Sequence, residues 1–250
     1  MAGSVRQIIE VPCTVEALER SEALSQLAPE ALTALGAESI DGDALGVEAA
    51  ARVDAAIEAC LAAYDPRGVY KLFNPAICTL PPEYSEPAIK LVGTMMMFHG
   101  QSVYERLRRA AHCALMAVTI GPDNPAALPA DADELDRALA DACARALVES
   151  AADHVNAAIV AAAMEEGLYT DDRLSPGMGD FPLDTRSQFV FYTQSEKRLG
   201  LKLGKDGVFE PRYSTVGVIG LYDPSHKGRK RACGRCKYRS YCSIRAIGMT

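Results

Sequence analysis

Residues 173–182 read Arg173-Leu174-Ser175-Pro176-Gly177-Met178-Gly179-Asp180-Phe181-Pro182, and no other stretch of the chain is so unlike plain secondary structure. Pro176 and Pro182 fix φ and lack N–H donors, whereas Gly177 and Gly179 can take positive φ and let a ligand approach the backbone. Arg173 enters this loop and Asp180 leaves it. Together they offer a cation, free backbone N–H and C=O groups and a carboxylate, a set suited to a zwitterionic small ligand. The plainer reading is an ordered connector, because Pro and Gly are common loop punctuation.

The flanks of the loop sharpen the choice. Upstream, Leu147-Val148-Glu149-Ser150-Ala151-Ala152-Asp153 sets a glutamate in an alanine-rich helix; downstream, Leu199-Gly200-Leu201-Lys202-Leu203 and Ser214-Thr215-Val216-Gly217-Val218-Ile219-Gly220 read as strands. With Arg-x-Ser-Pro-Gly-x-Gly-Asp-Phe-Pro between them, the arrangement resembles the Arg-Pro-Gly-Tyr loop and surroundings of the reactivation domain of cobalamin-dependent methionine synthase, in the version of its free-standing relatives. The resemblance covers about residues 85–223. It implies an α+β fold with a mixed, largely antiparallel twisted sheet flanked by helices. It also implies a methyltransferase role in methionine biosynthesis, in which the loop binds S-adenosylmethionine and a cobalamin oxidised out of its catalytic cycle is reductively remethylated. By the same resemblance Arg173 and Glu149 meet the ligand's charged groups, and the backbone at Ser175 and Gly177 contacts its adenosyl portion. Met178 stands where the family usually has a tyrosine beside the reacting groups. The cobalamin would be carried by a partner, a methionine synthase core or another corrinoid protein, with an electron donor such as flavodoxin or ferredoxin. No residue is assigned as catalytic.

A chain of 250 residues, 49% hydrophobic, can bury a sizeable core. No run approaches the roughly 20 apolar residues of a membrane span, and no basic segment followed by an apolar one opens the chain, so the expectation is a cytoplasmic protein without a membrane partner. Charge is unevenly placed. Eight cations and no acidic residue follow residue 226, leaving 18 basic against 33 acidic residues before it, a net charge of −15 for the body. The tail could fold back on that body or dock on an acidic partner; nucleic acid is the weakest option, because an acidic body repels phosphate.

The organisation expected is an N-terminal lead-in over 1–84, the α+β core over 85–223 and a basic, Cys-rich tail over 224–250. Within the lead-in, 5–11 reads as a strand, Thr14 starts a short helix with Glu16 and Glu19 nearby, 47–64 is an alanine-rich helix and 69–73 a strand. Four prolines make 74–87 an extended connector. In the core, 88–98 and 113–120 read as buried strands around a helix over 101–110. One helix or two span 131–167, Asp184 caps a helix through 197, and strands near 199–203 and 214–220 complete the sheet.

Of eight cysteines, Cys13, Cys60, Cys78, Cys113 and Cys143 are scattered in apolar settings and read as inert core residues. Cys233-x-x-Cys236-x5-Cys242, preceded by His226, is different: a C-x-x-C pair brings two thiolates to one metal and a third cysteine returns after a short turn. An iron–sulfur cluster, zinc completed by His226 and no metal all remain open on spacing alone. Met95-Met96-Met97 reads as core packing. There is no Gly-x-Ser-x-Gly, no phosphate-binding Gly-Lys-Ser/Thr loop and no dinucleotide fingerprint, so hydrolase and nucleotide-kinase readings have no support. Two alternatives stand beside the reactivation reading: a non-catalytic partner or scaffold of the same fold, and an iron–sulfur redox protein acting on a corrinoid protein.

Overall fold

The computed structural model describes residues 7–37, 39–78 and 87–225. In chain order, β1 (Ile8–Pro12) precedes helices α1 (Arg20–Leu24), α2 (Pro29–Leu35) and α3 (Val47–Ala63), then β2 (Arg67–Phe73) and the strands β3 (Pro75–Cys78), β4 (Ala88–Leu91) and β5 (Met97–His99). Helix α4 (Gln101–Leu107) leads into β6 (His112–Thr119), and α5 (Glu134–Glu165) into β7 (Tyr169–Thr170). Helices α6 (Arg186–Thr193) and α7 (Ser195–Leu199), the strands β8 (Lys202–Leu203) and β9 (Phe209–Glu210), and β10 (Ser214–Tyr222) follow.

Five strands form the main sheet in the order β1-β2-β6-β10-β7, with every pairing antiparallel. The fold is α+β, as the sequence implies. Strand β6 lies at the centre and is apolar on both faces, because both faces are covered. Ala114, Met116 and Val118 point to the layer containing α5, while Cys113, Leu115 and Ala117 point to a second core beneath β4, β5, α4 and α6. Phe98, Phe181 and Phe189 meet there, with ring centroids 5.4 to 6.2 Å apart. Strands β1 and β2 come from the stretch expected as a lead-in, so that stretch supplies two strands of the same sheet as β6 and β10.

Helix α5 settles the question of one helix or two: it is a single helix of 32 residues, about 48 Å long. Asp133 and Asp136 cap its start reciprocally. Its first half packs on α1 and α3 through Leu139, Cys143 and Leu147, and its second half lies on the sheet through Ala151, Ala152, Val155 and Ile159. The alanines let it sit close. At Gly68 on β2 a Cβ would stand 2.3 Å from Val155 Cγ2.

Several elements differ from expectation, each for a local reason. No helix starts at Thr14; the chain stays extended past β1, with Cys13 N–H donating to Pro66 O, and α1 begins only after Glu19 and Glu22 form a capping box. The stretch 88–98 is not one strand but β4 and β5 joined by a turn at Gly93 (φ 81°), where Thr94 Oγ1 bonds Leu91 O and Met96 N–H. The hairpin buries Met96 while leaving Met95 85% exposed, so the three methionines are not all core. Part of the expected connector is β3, which pairs with β4. Asp184 caps no helix: a 3-10 turn at Leu183–Thr185 precedes α6, and Gln194 (φ 54°) breaks the expected long helix into α6 and α7. Buried Ser195 holds that break, its hydroxyl lying 3.4 Å from both Val190 O and Leu201 O. Strand β8 pairs with β9 in its own two-stranded ribbon and does not join the main sheet.

The 173–182 loop is docked on α4. Asp180 accepts from Gln101 N–H at 2.5 Å, Ser102 N–H at 3.0 Å and the Ser102 hydroxyl. Gly100 (φ 109°) makes this approach feasible, since a Cβ there would lie 2.7 Å from Asp180 O.

Two outcomes follow for stability. Gly68→Ala should overpack the α5–sheet contact and lower unfolding stability by about 1–3 kcal/mol, read as a shift in urea midpoint at unchanged slope; an unchanged midpoint would show that α5 has room to move. The hydrogen bonds from Ser102, then from Gln101, hold the Asp180 carboxyl below the usual carboxylate range. A depressed carboxyl stabilises the fold above the unfolded-chain value of about 3.9 and loses that contribution as pH falls through the lower native value. The difference in urea midpoint between wild type and Asp180→Asn should therefore shrink between pH 7 and pH 3; a constant difference would remove Asp180 from the acid response.

Candidate functional site

The site is built where the chain leaves α5 and returns along β10. Tyr169 and Thr170 pair with Tyr222 and Leu221, and Leu174 then exchanges two 2.9 Å hydrogen bonds with Val218. Between these pairings four residue steps on one strand stand against three on the other, so 171–173 contains a bulge. Bulges re-aim side chains beside sites. Here Arg173 lies across β10, its stem over Gly217, where a Cβ would be 2.6 Å from Arg173 Cγ. Only glycine leaves room for it.

Arg173 Nη2 donates to Glu149 Oε2 on α5; the Arg173 side chain is 15% exposed and that of Glu149 51%. Arg173 Nη1 is sealed from solvent and has no partner. The pair therefore spends one end of the guanidinium on Glu149 and leaves the other unmatched, at a typical cost of about 1–3 kcal/mol for a buried unsatisfied group.

Beyond Arg173 the loop closes on itself. Met178 N–H donates to Ser175 O at 3.0 Å, Phe181 N–H to Met178 O at 3.1 Å and Gly177 N–H to Phe181 O at 2.8 Å. Ser175 N–H points to Met178 Sδ at 3.3 Å. The sequence suggests free N–H groups and an available Asp180 carboxylate in this loop; instead the N–H groups at 175, 177, 178 and 181 are bonded within it and Asp180 is bonded to the start of α4. A loop anchored by buried Phe181 has little backbone left over. Gly177 (φ 97°) is required by the turn, and a Cβ there would also press on Leu183 Cδ2 at 3.0 Å.

A cleft of about 220 Å³ opens between α5, the bulge and the loop. Its wall includes Asp153, Asn156, Asp171, Asp172, Arg173 and Met178. Of the five expected ligand-binding residues, Arg173 and Met178 line it, Glu149 grips Arg173, and Ser175 and Gly177 belong to the turn and are absent from its wall. Sequence reasoning missed Asp153 and Asn156. The signal was there: 149, 153 and 156 are spaced i, i+4, i+7, one face of a helix. Asn156 is 9% exposed; its Nδ2 donates to Asp153 Oδ1 at 3.3 Å, and its Oδ1 is buried without a partner. A larger cleft of about 470 Å³ between β1 and α7 contains none of the expected residues. One residue of its wall, Arg198, has a buried donor without a partner, its Nε, whereas two residues of the smaller cleft's wall, Arg173 and Asn156, have a buried unmatched donor and a buried unmatched acceptor.

Four of the scattered cysteines are buried, and burial pushes their thiols up: Cys13 to about 11, Cys60 and Cys143 to about 12, and Cys113 further still. They behave as core residues. Among the described residues no group of three His, Cys, Asp or Glu is placed to hold a metal ion, and no helix is long and apolar enough to cross a membrane. Cys233, Cys236, Cys242 and His226 lie outside the described residues.

No protein-family model and no curated protein matches the chain. Among solved structures it is similar to the MetH reactivation domain bound to AdoHcy, at 19% identity and a TM-score of 0.58, over 90% of this chain and 80% of that one. At that identity the likeness shows the fold, and the α+β arrangement built on the antiparallel sheet is the fold of that domain.

Proposed function

We propose that the chain is an S-adenosylmethionine-binding module that assists reductive methylation of a cobalamin carried by a partner protein, either a methionine synthase core or another corrinoid protein. The observation that carries this reading is Arg173, brought by the bulge to the wall of a cleft with one guanidinium nitrogen unmatched. Its support is the shared fold with a domain solved in complex with AdoHcy. Arg173 meets the ligand's carboxylate, and Glu149 holds the guanidinium in place while adding negative charge near the ligand's cationic groups. The adenosyl portion lies along the 173–182 loop. Contact with the backbone there falls to the Gly177 carbonyl and the second lone pair of the Ser175 carbonyl, because both N–H groups are engaged and Ser175 O already accepts from Met178 N–H. The ligand fits this donor set: S-adenosylmethionine supplies a methyl group, and the reduced cobalamin of the partner accepts it. A flavodoxin- or ferredoxin-like donor delivers the electron. The Cys233, Cys236 and Cys242 cluster, holding iron–sulfur or zinc, belongs to the same cytoplasmic assembly.

Met178 favours a second reading. Its thioether takes the Ser175 N–H contact and offers no hydroxyl beside the reacting groups, which suits a scaffold that keeps the fold without the chemistry.

Calorimetry separates the two. Wild type should bind S-adenosylmethionine, and Arg173→Ala should weaken binding by roughly 10- to 150-fold, the range of a desolvated charge-assisted hydrogen bond. Glu149→Gln should cost only about a few-fold, since half-exposed ion pairs are screened. If wild type shows no heat, or if Arg173→Ala binds as well as wild type with an unchanged circular dichroism spectrum, the scaffold reading takes over. For the tail, anaerobically purified protein should be brown and bleach with dithionite; colourless protein with stoichiometric zinc would exclude the iron–sulfur form.

A further inference from the structure

The main sheet has two edges, and the cleft of about 470 Å³ lies at the β1 edge, with β2, β6 and β10 between it and the β7 edge where Arg173 sits. At the usual strand spacing those edges are about 19 Å apart, so the two clefts are separate places. The volume falls within the roughly 300–1,000 Å³ of small-molecule sites. Val11, Val15, Leu61 and Tyr64 line the cleft and stay partly exposed, which leaves apolar surface for the body of a ligand. The charged residues on the wall are Glu10, Asp65, Arg67 and Arg198, two of each sign.

Arg198 is the one left incomplete. Its Nη1 donates to Glu10 Oε1, its one hydrogen-bond partner among the described residues, and its Nε is sealed from solvent without an acceptor. Nε and Nη2 form the side-on edge of a guanidinium, whose two parallel N–H groups match the two oxygens of a carboxylate. Arg20 shows that edge in use, with Nε and Nη2 donating to the two Asp54 oxygens at 2.6 and 2.7 Å. On Arg198 the same edge is unfilled. Arg67 brings a second guanidinium to the wall, held at 3.3 Å by Asp65, whose side chain is 84% exposed and whose grip is therefore screened by water. Glu10 and Asp65 limit the charge of a ligand. They repel a phosphate dianion, and as each already faces an arginine they leave an ammonium without a dedicated anion.

We infer that the cleft between β1 and α7 is a second binding site, for a small monocarboxylate with an aliphatic or aromatic body. The carboxylate takes the Nε–Nη2 edge of Arg198, with Arg67 on the same wall, and the body lies against Val11, Val15, Leu61 and Tyr64. This goes beyond the S-adenosylmethionine reading and stands whether or not that reading holds.

The probes are octanoate, octanol, octylammonium and octyl phosphate, which share a chain and differ in the head. Titrated into full-length protein, octanoate should shift amide resonances at 10–15, 64–68 and 198–199, and should bind at least about tenfold more tightly than octanol or octylammonium. Arg198→Lys keeps a cation for Glu10 but removes the two-pronged edge, and should weaken octanoate about tenfold with an unchanged circular dichroism spectrum. Asp65→Asn removes an exposed anion from the wall without touching Arg198, and should tighten octanoate by about a few-fold. Four results overturn the site: no shifts at those positions up to millimolar octanoate, equal affinity for the four heads, tighter binding of octyl phosphate, or an affinity for octanoate that neither variant changes. Displacement of octanoate by S-adenosylmethionine would also overturn it, by moving the carboxylate to the other cleft.

Discussion

The second half of a 32-residue helix lies close against the sheet because glycine and alanine remove bulk at the tightest points of a contact otherwise filled by larger apolar side chains. Gly68 on β2 faces Val155, and Ala151 and Ala152 continue the contact along α5. Close packing of this kind tolerates little adjustment, since interiors have crystal-like density. The consequence reaches beyond stability. With α5 fixed in height and rotation over the sheet, Glu149, Asp153 and Asn156 are carried on one face to the edge where β7 and β10 pair.

The same edge receives the loop, and three glycines make that meeting fit. Gly217 gives its Cβ volume to the stem of Arg173, Gly100 admits Asp180 against the start of α4, and Gly177 turns the chain through positive φ. None of these glycines is shown to be there for a ligand; each is explained by the chain's own packing. What the packing leaves behind is more telling: a guanidinium nitrogen and an amide oxygen, both buried and both unmatched, on two residues that line one small cleft. Buried polar groups are paired in the great majority of cases, and the exceptions gather where a ligand or ion completes them.

Much of the fold was legible in the sequence where periodicity was long and unbroken. Helix α3 matches the alanine-rich run at 47–64 to within a residue, and β6 and β10 match the two apolar runs that form the sheet centre. The misreadings cluster where one residue overrides a pattern. Gly93 and Thr94 turn an apolar stretch into a hairpin, and Gln194 in a left-handed conformation splits a helix whose periodicity runs straight through it. For the site, the loop announced Arg173 and Met178, and the alanine-rich helix announced Glu149. Asp153 and Asn156 share that helix face but sit among residues whose composition says only "helix".

By itself the sequence determined the α+β class, the long alanine-rich helix, the two central strands and a loop that must take unusual backbone angles, because helical and strand periods, alanine content and Pro–Gly chemistry are local properties. Tertiary structure alone decided that strands from 8–73 and 112–222 share one sheet, that Asp180 serves α4, that the loop's N–H groups at 175, 177, 178 and 181 are already bonded, and that Arg173 and Asn156 converge across 17 residues of chain on one cleft. Those outcomes depend on which surfaces meet and which hydrogen-bonding groups that meeting consumes, quantities that exist only once residues distant in the chain are packed against one another.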